Sequence, residues 1–284
     1  MLFLTQINIY PVKSLDGFSP TWATVEMRGL QHDRRWMLVD EAGVFMSQRT
    51  TRKMTQLRAS IEGKDLLIVD KNNPTHNITI PIAAEGEIMQ VSVWEDTTQG
   101  MKISAEADAF LSDFLGVKCH LVKMPDTTNR RLEERYNSGD DIVSYADGYP
   151  YLIIGETSIT DLNARLKTPL NTDNQPLEGL RRFRANFIFS GGKPYEEETW
   201  SEFQIGSVPF LGIKPCGRCV MITLDPDTSE ASAEPLKTLA TYRSENKKVK
   251  FGQNLIWCNT ESQMDTPQTV HVGSVVSVSE LMPS

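Results

Sequence analysis

The apolar residues of this chain come in short alternating runs, each cut off by Gly, Pro, Asn or Asp, and that pattern most restricts what it can fold into. Phe3 to Tyr10 alternates, with Phe3, Thr5, Ile7 and Ile9 against Leu4, Gln6 and Asn8, until Pro11 removes a backbone donor. Trp36-Met37-Leu38-Val39 and Val44-Phe45-Met46 flank Asp40-Glu41-Ala42-Gly43, which reads as a hairpin. Leu66 to Val69, Asn77 to Ile80 and Val91 to Trp94 follow in the same manner. Regularly spaced short strands with turns between them predict a small barrel or sandwich.

Three helices interrupt the pattern. Ser104 is placed to cap Ala105–Leu115, where Ala107, Phe110, Leu111, Phe114 and Leu115 fall on one stripe before Gly116. Thr157 or Ser158 opens a second, carrying Ile159, Leu162 and Leu166, and a third begins near Glu234-Pro235 with Leu236, Leu239 and Ala240. Met124 to Asp140 is polar and aperiodic and reads as a linker, its Asp140-Asp141 pair facing solvent. Strands return at Tyr151–Ile154, Phe187–Phe189, Val208–Ile213, Val220–Leu224, Leu255–Trp257 and Val275–Val278, and no internal repeat is present. The fold expected is therefore β-rich α+β. It comprises an N-terminal β domain over about residues 1–120, packed on a second β-barrel domain over residues 121–284 with a few peripheral helices.

With 284 residues the chain buries enough surface to fold without disulfide staples. Its 29 Lys and Arg against 37 Asp and Glu give a net charge of −8, which argues against nucleic acid or an anionic membrane as partner. A local basic pocket for one small anion remains compatible with that charge. The first residues, Met1 to Tyr10, lack a basic region ahead of an apolar one, and no window approaches the roughly 18 apolar residues of a membrane span. Four cysteines are too sparse for a secreted disulfide scaffold, so a reduced cytoplasmic protein is expected. Asn77-Ile78-Thr79 matches a glycosylation acceptor by chance on that reading.

Chemistry concentrates in Lys214-Pro215-Cys216-Gly217-Arg218-Cys219. A Cys-x-x-Cys pair has several meanings. Structural zinc needs two further ligands, and only Cys119, Cys258 and the scattered His32, His76, His120 and His271 remain. A thioredoxin-type pair opens a helix, whereas this one precedes the β-rich Val220–Leu224. A single thiolate beside Arg218 would suit a soft transition metal, and two inert buried cysteines are the plain alternative. Lys13-Ser14, Asp33-Arg34-Arg35 and Arg181-Arg182-Phe183-Arg184 stand at strand ends, where arginines grip phosphate when they turn inward and are solvated when they do not. The chain has no Gly-rich nucleotide loop, no nucleophile elbow and no His-Glu-x-x-His.

Eight segments occur in a familiar order. They are Ile9-Tyr10-Pro11-Val12-Lys13-Ser14, Gly29-Leu30 with Asp33-Arg34, Asp147-Gly148-Tyr149-Pro150, Phe183-Arg184-Ala185-Asn186, Lys214 to Cys219, Asp225-Pro226-Asp227, Glu234 to Leu239 and Phe251-Gly252-Gln253-Asn254. In these the chain resembles the MOSC domain family, within the branch of the mitochondrial amidoxime-reducing component and its bacterial relatives, from the first strand to about Val278.

That resemblance implies a molybdenum-cofactor (Mo-molybdopterin) oxidoreductase. It assigns the protein's metal ligand, and the catalytic position, to Cys219. Cofactor contacts fall on Lys13, Ser14, Arg34, Arg184, Asn186, Gly217 and Arg218, with main-chain contacts at Asp147, Gly148, Tyr149 and Asn254. Cys216 is given a packing role, and Ala185 and Gly217 are small departures from the family's pattern. The implied reaction is a two-electron reduction of N-hydroxylated compounds such as amidoximes, hydroxylamines and N-hydroxylated bases, releasing water. No flavin or haem motif is present, and the residues up to Ser284 lack the Cys-x4-Cys-x2-Cys signature of an iron–sulfur domain, so an external ferredoxin-like or flavin reductase is the expected donor. The alternatives are a molybdenum-cofactor carrier without turnover and a zinc-stabilised β protein. A pocket between the two domains, with Lys13, Ser14 and Arg34 reaching across to Cys219, is the structural expectation.

Overall fold

The computed structural model describes residues 1–132, 141–170, 178–258 and 266–282. Along the chain, β1 (Leu2–Ile7), β2 (Trp22–Glu26), β3 (Gly29–Leu30) and β4 (Trp36–Val39) are followed by β5 (Leu57–Glu62), β6 (Asp65–Asp70), β7 (Asn73–Pro81), β8 (Glu87–Val93) and β9 (Asp96–Lys102). Helix α1 (Ala105–Leu115) and β10 (His120–Lys123) complete this part. The remainder holds β11 (Tyr151–Gly155), α2 (Glu156–Arg165), β12 (Phe187–Ser190), β13 (Trp200–Ile205), β14 (Val208–Arg218), α3 (Leu236–Tyr242), β15 (Ser244–Glu245), β16 (Lys248–Trp257), β17 (Gln268–His271) and β18 (Val275–Leu281).

Seven strands close a barrel in the order β11-β12-β1-β18-β13-β14-β16, with β16 returning to β11. The only parallel step in that ring is β11 to β12, whose crossover contains α2. The opening strand of the chain is thus a stave of a barrel otherwise built from residues after 150, pairing with β12 on one side and β18 on the other.

Strand periodicity explains the barrel's two cores. Tyr151, Ile153, Phe187, Phe189, Phe203, Phe210 and Leu255 point inward into one cluster, while Leu152, Ile154 and Ile188 point outward under α2 and α3. Both faces are covered, so Tyr151–Ile154 and Phe187–Phe189 read as continuous apolar runs rather than alternating ones. The β17-β2-β3 sheet adds Ala23, Val25, Leu30 and Val270 to the interior cluster.

The N-terminal part forms a four-stranded sheet, β4-β10-β9-β8, and a three-stranded meander, β5-β6-β7. Strand β4 joins their cores, sending Trp36 and Leu38 to the cluster with α1 and Met37 and Val39 to the other. Helix α1 ends as its sequence dictates: Ser104 Oγ accepts from the amide of Ala107, and Gly116 takes the left-handed conformation (φ 73°).

Three local expectations are corrected. Val220–Thr223 is a 3₁₀ turn rather than a strand, because β14 runs on to Arg218 and the chain then turns to bury Ile222 while Val220 is exposed. So short an apolar run fits either conformation. Helix α2 starts at Glu156, ahead of Thr157 and Ser158, because the Ser158 hydroxyl serves the buried carboxylate of Glu197. The stretch after Met124 is not simply polar linker: Arg130 and Asp141 are buried, while Asp140 lies outside the described residues.

Candidate functional site: a cationic, thiol-bearing cavity

An open cavity lies between the barrel and the N-terminal sheets. Its walls include Lys13 and Ser14, from the segment after β1, and Arg34, from the turn before β4. From the C-terminal part come Asp147, Gly148 and Tyr149 ahead of β11, Arg184 and Asn186 ahead of β12, Gly217, Arg218 and Cys219 at the end of β14, and Asn254 in β16. Every residue that the resemblance assigned to the site therefore lines this one cavity, whereas Arg35 and Arg181 from the same basic runs do not.

Most of the charged and amide side chains are held by specific contacts. Arg34 bridges the Asp33 carboxylate and the backbone carbonyl of Arg184 (2.9 Å), and Asp33 in turn accepts from the amide of Tyr10 (2.8 Å). The guanidinium of Arg184 donates to the Leu15 carbonyl at 2.6 Å. Both arginines pack on the ring of Tyr10, at 4.6 and 4.3 Å, and burial pushes the Tyr10 hydroxyl up to a pKa of about 12. Asn8 and Asn186 exchange hydrogen bonds at the barrel rim (2.8 and 3.2 Å), and Asn254 donates to the Lys214 carbonyl (3.2 Å).

Lys13 donates to the Tyr145 carbonyl and to Asp147 Oδ1. Burial lowers the Lys13 pKa, with Asp147 working against that shift. Burial also works against ionisation of Asp147, but Lys13 outweighs it and holds the carboxyl well below the usual carboxylate range. The loop carrying Asp147 is pinned by Arg130, which donates to the carbonyls of Ser144 (2.9 Å), Ala146 (2.6 Å) and Asp147 (3.3 Å).

Of the nine non-glycine residues with positive φ among the described residues, Ser14 (66°), Arg34 (50°), Trp94 (57°) and Arg184 (55°) line this cavity. Left-handed backbone at such residues is uncommon and concentrates where surrounding structure imposes a functional geometry. The lining carries Lys13, Arg34, Arg182, Arg184 and Arg218 against the carboxylate of Asp147, and although Asp33 and Asp225 pair with Arg34 and Arg182 from behind, the hollow keeps a positive balance in a protein of net charge −8. Arg218 is fixed through Nε on the Phe251 carbonyl (3.0 Å) and Nη1 on the Phe183 carbonyl (3.1 Å), while its buried Nη2 has no hydrogen-bond partner. A lining arginine with one donor left over is compatible with an anionic ligand such as the phosphate ester of a molybdopterin.

The thiols divide. Cys219 lines the cavity, half-buried, and receives a hydrogen bond on Sγ from Arg49 Nη2 at 3.0 Å. Cys216 also reaches the wall but packs on the helix-covered cluster, and burial pushes its thiol pKa up. Among the described residues no group of three or more His, Cys, Asp or Glu converges, so a four-ligand zinc site has no counterpart there. A soft thiol donor beside an anion-gripping wall matches the donor set of a thiolate-ligated molybdenum cofactor.

Sequence reasoning missed Phe45, Trp94 and Met221 in the lining, and Arg49 at the sulfur; Arg182, named only as one of a basic run, also lines it. Arg49 carries the same signal as Arg34, a cation beside a short apolar run, while Trp94 reads only as the end of a strand.

Fold and cavity define a β-barrel protein with a ligand site at the seam of its N- and C-terminal parts, chemically suited to an anion that bears a soft metal. The chain belongs to the MOSC family: the MOSC N-terminal beta barrel domain matches residues 1–118 and the MOSC domain residues 140–277. It is 30% identical to the molybdenum cofactor sulfurase of Homo sapiens over 96% of its length, and 30% identical to that of Solanum lycopersicum over 93%. It spans about a third of those proteins, 32% and 34%. The mitochondrial amidoxime-reducing component 1 of Mus musculus is 29% identical over 96% of this chain and 81% of that protein. Among the described residues no helix is long and apolar enough to cross a membrane.

Proposed function

We propose that this chain is a molybdenum-cofactor-dependent reductase of N-hydroxylated compounds, receiving electrons from a separate donor of ferredoxin-like or flavin-reductase type in the cytoplasm. The observation that supports the reading is the coincidence, on one cavity, of Cys219 with the cations Lys13, Arg34, Arg184 and Arg218, the last with a donor left unpartnered. When bound, the cofactor supplies the metal and the two electrons of the reduction.

The chain's own residues supply position and charge. Cys219 would ligate the metal through Sγ, while Arg218, Lys13, Ser14, Arg34 and Arg184 would neutralise the phosphate and orient the pterin. Asn186, Gly217, Asn254 and the Asp147–Tyr149 loop would frame its edges. Phe45, Trp94 and Met221 give the cavity an apolar wall for the organic part of a substrate. In this reading residues 1–120 and 121–284 are the two domains, with β1 given over to the second.

Purified holoprotein with dithionite-reduced viologen is expected to convert benzamidoxime to benzamidine, and Cys219→Ala to lose that turnover. The similarity to molybdenum cofactor sulfurases favours a second reading, a cofactor-binding module. Stoichiometric molybdenum in a protein that reduces no N-hydroxylated compound selects that second reading.

A further inference from the structure

Arg49 touches the site's sulfur from the far side of the sequence. It lies in the segment between β4 and β5, 170 residues from Cys219, and its Nη2 approaches Cys219 Sγ to 3.0 Å. The guanidinium stacks on an aromatic ring, 4.2 Å from the Trp94 ring centroid; the Asp147 carboxylate lies within reach of its charge, but among the described residues Arg49 forms no ion pair. Trp94 is fixed in its turn, with Nε1 donating to Asp147 Oδ1 at 3.2 Å and Phe45 packed on it at 4.7 Å. A buried Arg49 Nε without a hydrogen-bond partner agrees with a side chain held by stacking and by sulfur.

We propose that Arg49 is a positioning residue that holds the Cys219 sulfur toward the cavity and, once that sulfur is a metal ligand, draws electron density from it. The inference rests on the cofactor reading above. A ligated thiolate keeps lone pairs able to accept an N–H, and hydrogen bonds to a metal-bound sulfur tune the metal's potential. A cation there favours the more electron-rich state and so raises the midpoint potential. Trp94 sets the geometry, because a planar guanidinium stacked on a ring keeps one edge for its acceptor.

The test compares wild-type holoprotein with Arg49→Met and Arg49→Lys by molybdenum content per chain, spectroscopically followed redox titration and the sulfur-to-metal absorption band. Arg49→Met is expected to bind less molybdenum, to titrate at lower potential and to absorb at longer wavelength. Arg49→Lys, which keeps charge and a donor but not the planar stack, should recover part of each change. An Arg49→Met protein with wild-type metal content, potential and band overturns the inference, as does a deficit that lysine does not relieve at all. Wild-type protein devoid of molybdenum overturns the cofactor reading itself, and is distinguishable because it shows before any variant is made.

Discussion

Arg34 Nη2 donates to the backbone carbonyl of Arg184 at 2.9 Å, so an arginine of the N-terminal part is tied to the main chain of an arginine 150 residues later. The contact spans the seam at which the cavity opens. It makes the hollow a property of the whole chain, since neither arginine is positioned without the other's segment.

Replacing Arg34 should therefore loosen both stability and anion grip. Asp33 is fully buried, and Arg34→Met leaves its carboxylate without its cation. Stripping one partner from a buried pair costs about 3 kcal/mol. Urea unfolding is expected to show that loss, with weakened sulfate or phosphate binding by calorimetry. An unchanged midpoint would contradict the burial argument.

Lys13 gives the anion site an alkaline limit. Burial places its pKa below that of a free lysine, about 10.4. Anion affinity that needs the ammonium is complete below the folded-state pKa and falls as pH rises through it, earlier than an exposed lysine would allow. Lys13→Arg, which does not titrate in this range, should move the decline upward. Phosphate binding measured from pH 7 to 10.5 in both proteins checks this.

Glu197 predicts a pH slope unrelated to the cavity. It is fully buried, and burial raises its pKa to about 7, against the hydrogen bonds from Gly155 N and Ser158 Oγ. The unfolded chain ionises at about 4.3, so between there and about 7 the folded state binds more protons and stability falls as pH rises. The contribution is whole below about 4.3 and lost above 7. Glu197→Gln should flatten this part of the stability curve and gain on the order of 2 kcal/mol at pH 8 relative to wild type. A parallel curve in the variant would refute the assignment.

Gly252 explains a glycine of the sequence pattern physically. Its φ is +80°, and an added Cβ would meet Ile154 Cγ1 at 2.6 Å and the Ile153 carbonyl oxygen at 2.9 Å, across the pairing that closes the barrel. Gly252→Ala is expected to cost about 2 kcal/mol or more, from strain and overpacking together. Thermal unfolding of the apoprotein measures it.

Local signals in the sequence were enough for much of this fold. The cap at Ser104, the stop at Gly116 and the double-faced burial of Tyr151–Ile154 are each written within a few residues, because capping and strand periodicity act at that range. The family resemblance, not local patterning, picked out twelve residues that line one cavity. Short or weakly patterned pieces were not legible. Val220–Thr223 reads as strand but turns, and β9, with Asp96-Thr97-Thr98-Gln99, has no apolar pattern of its own and is made by pairing with β8.

What only the tertiary structure decided is which distant groups meet. The pairing of β1 with β12 and β18, the hold of Arg130 on the Asp147 loop and the approach of Arg49 to Cys219 each join segments far apart in sequence. No local propensity encodes such contacts. They follow from burying two faces of one barrel while pairing most of the polar groups at its seam, a condition on the chain as a whole.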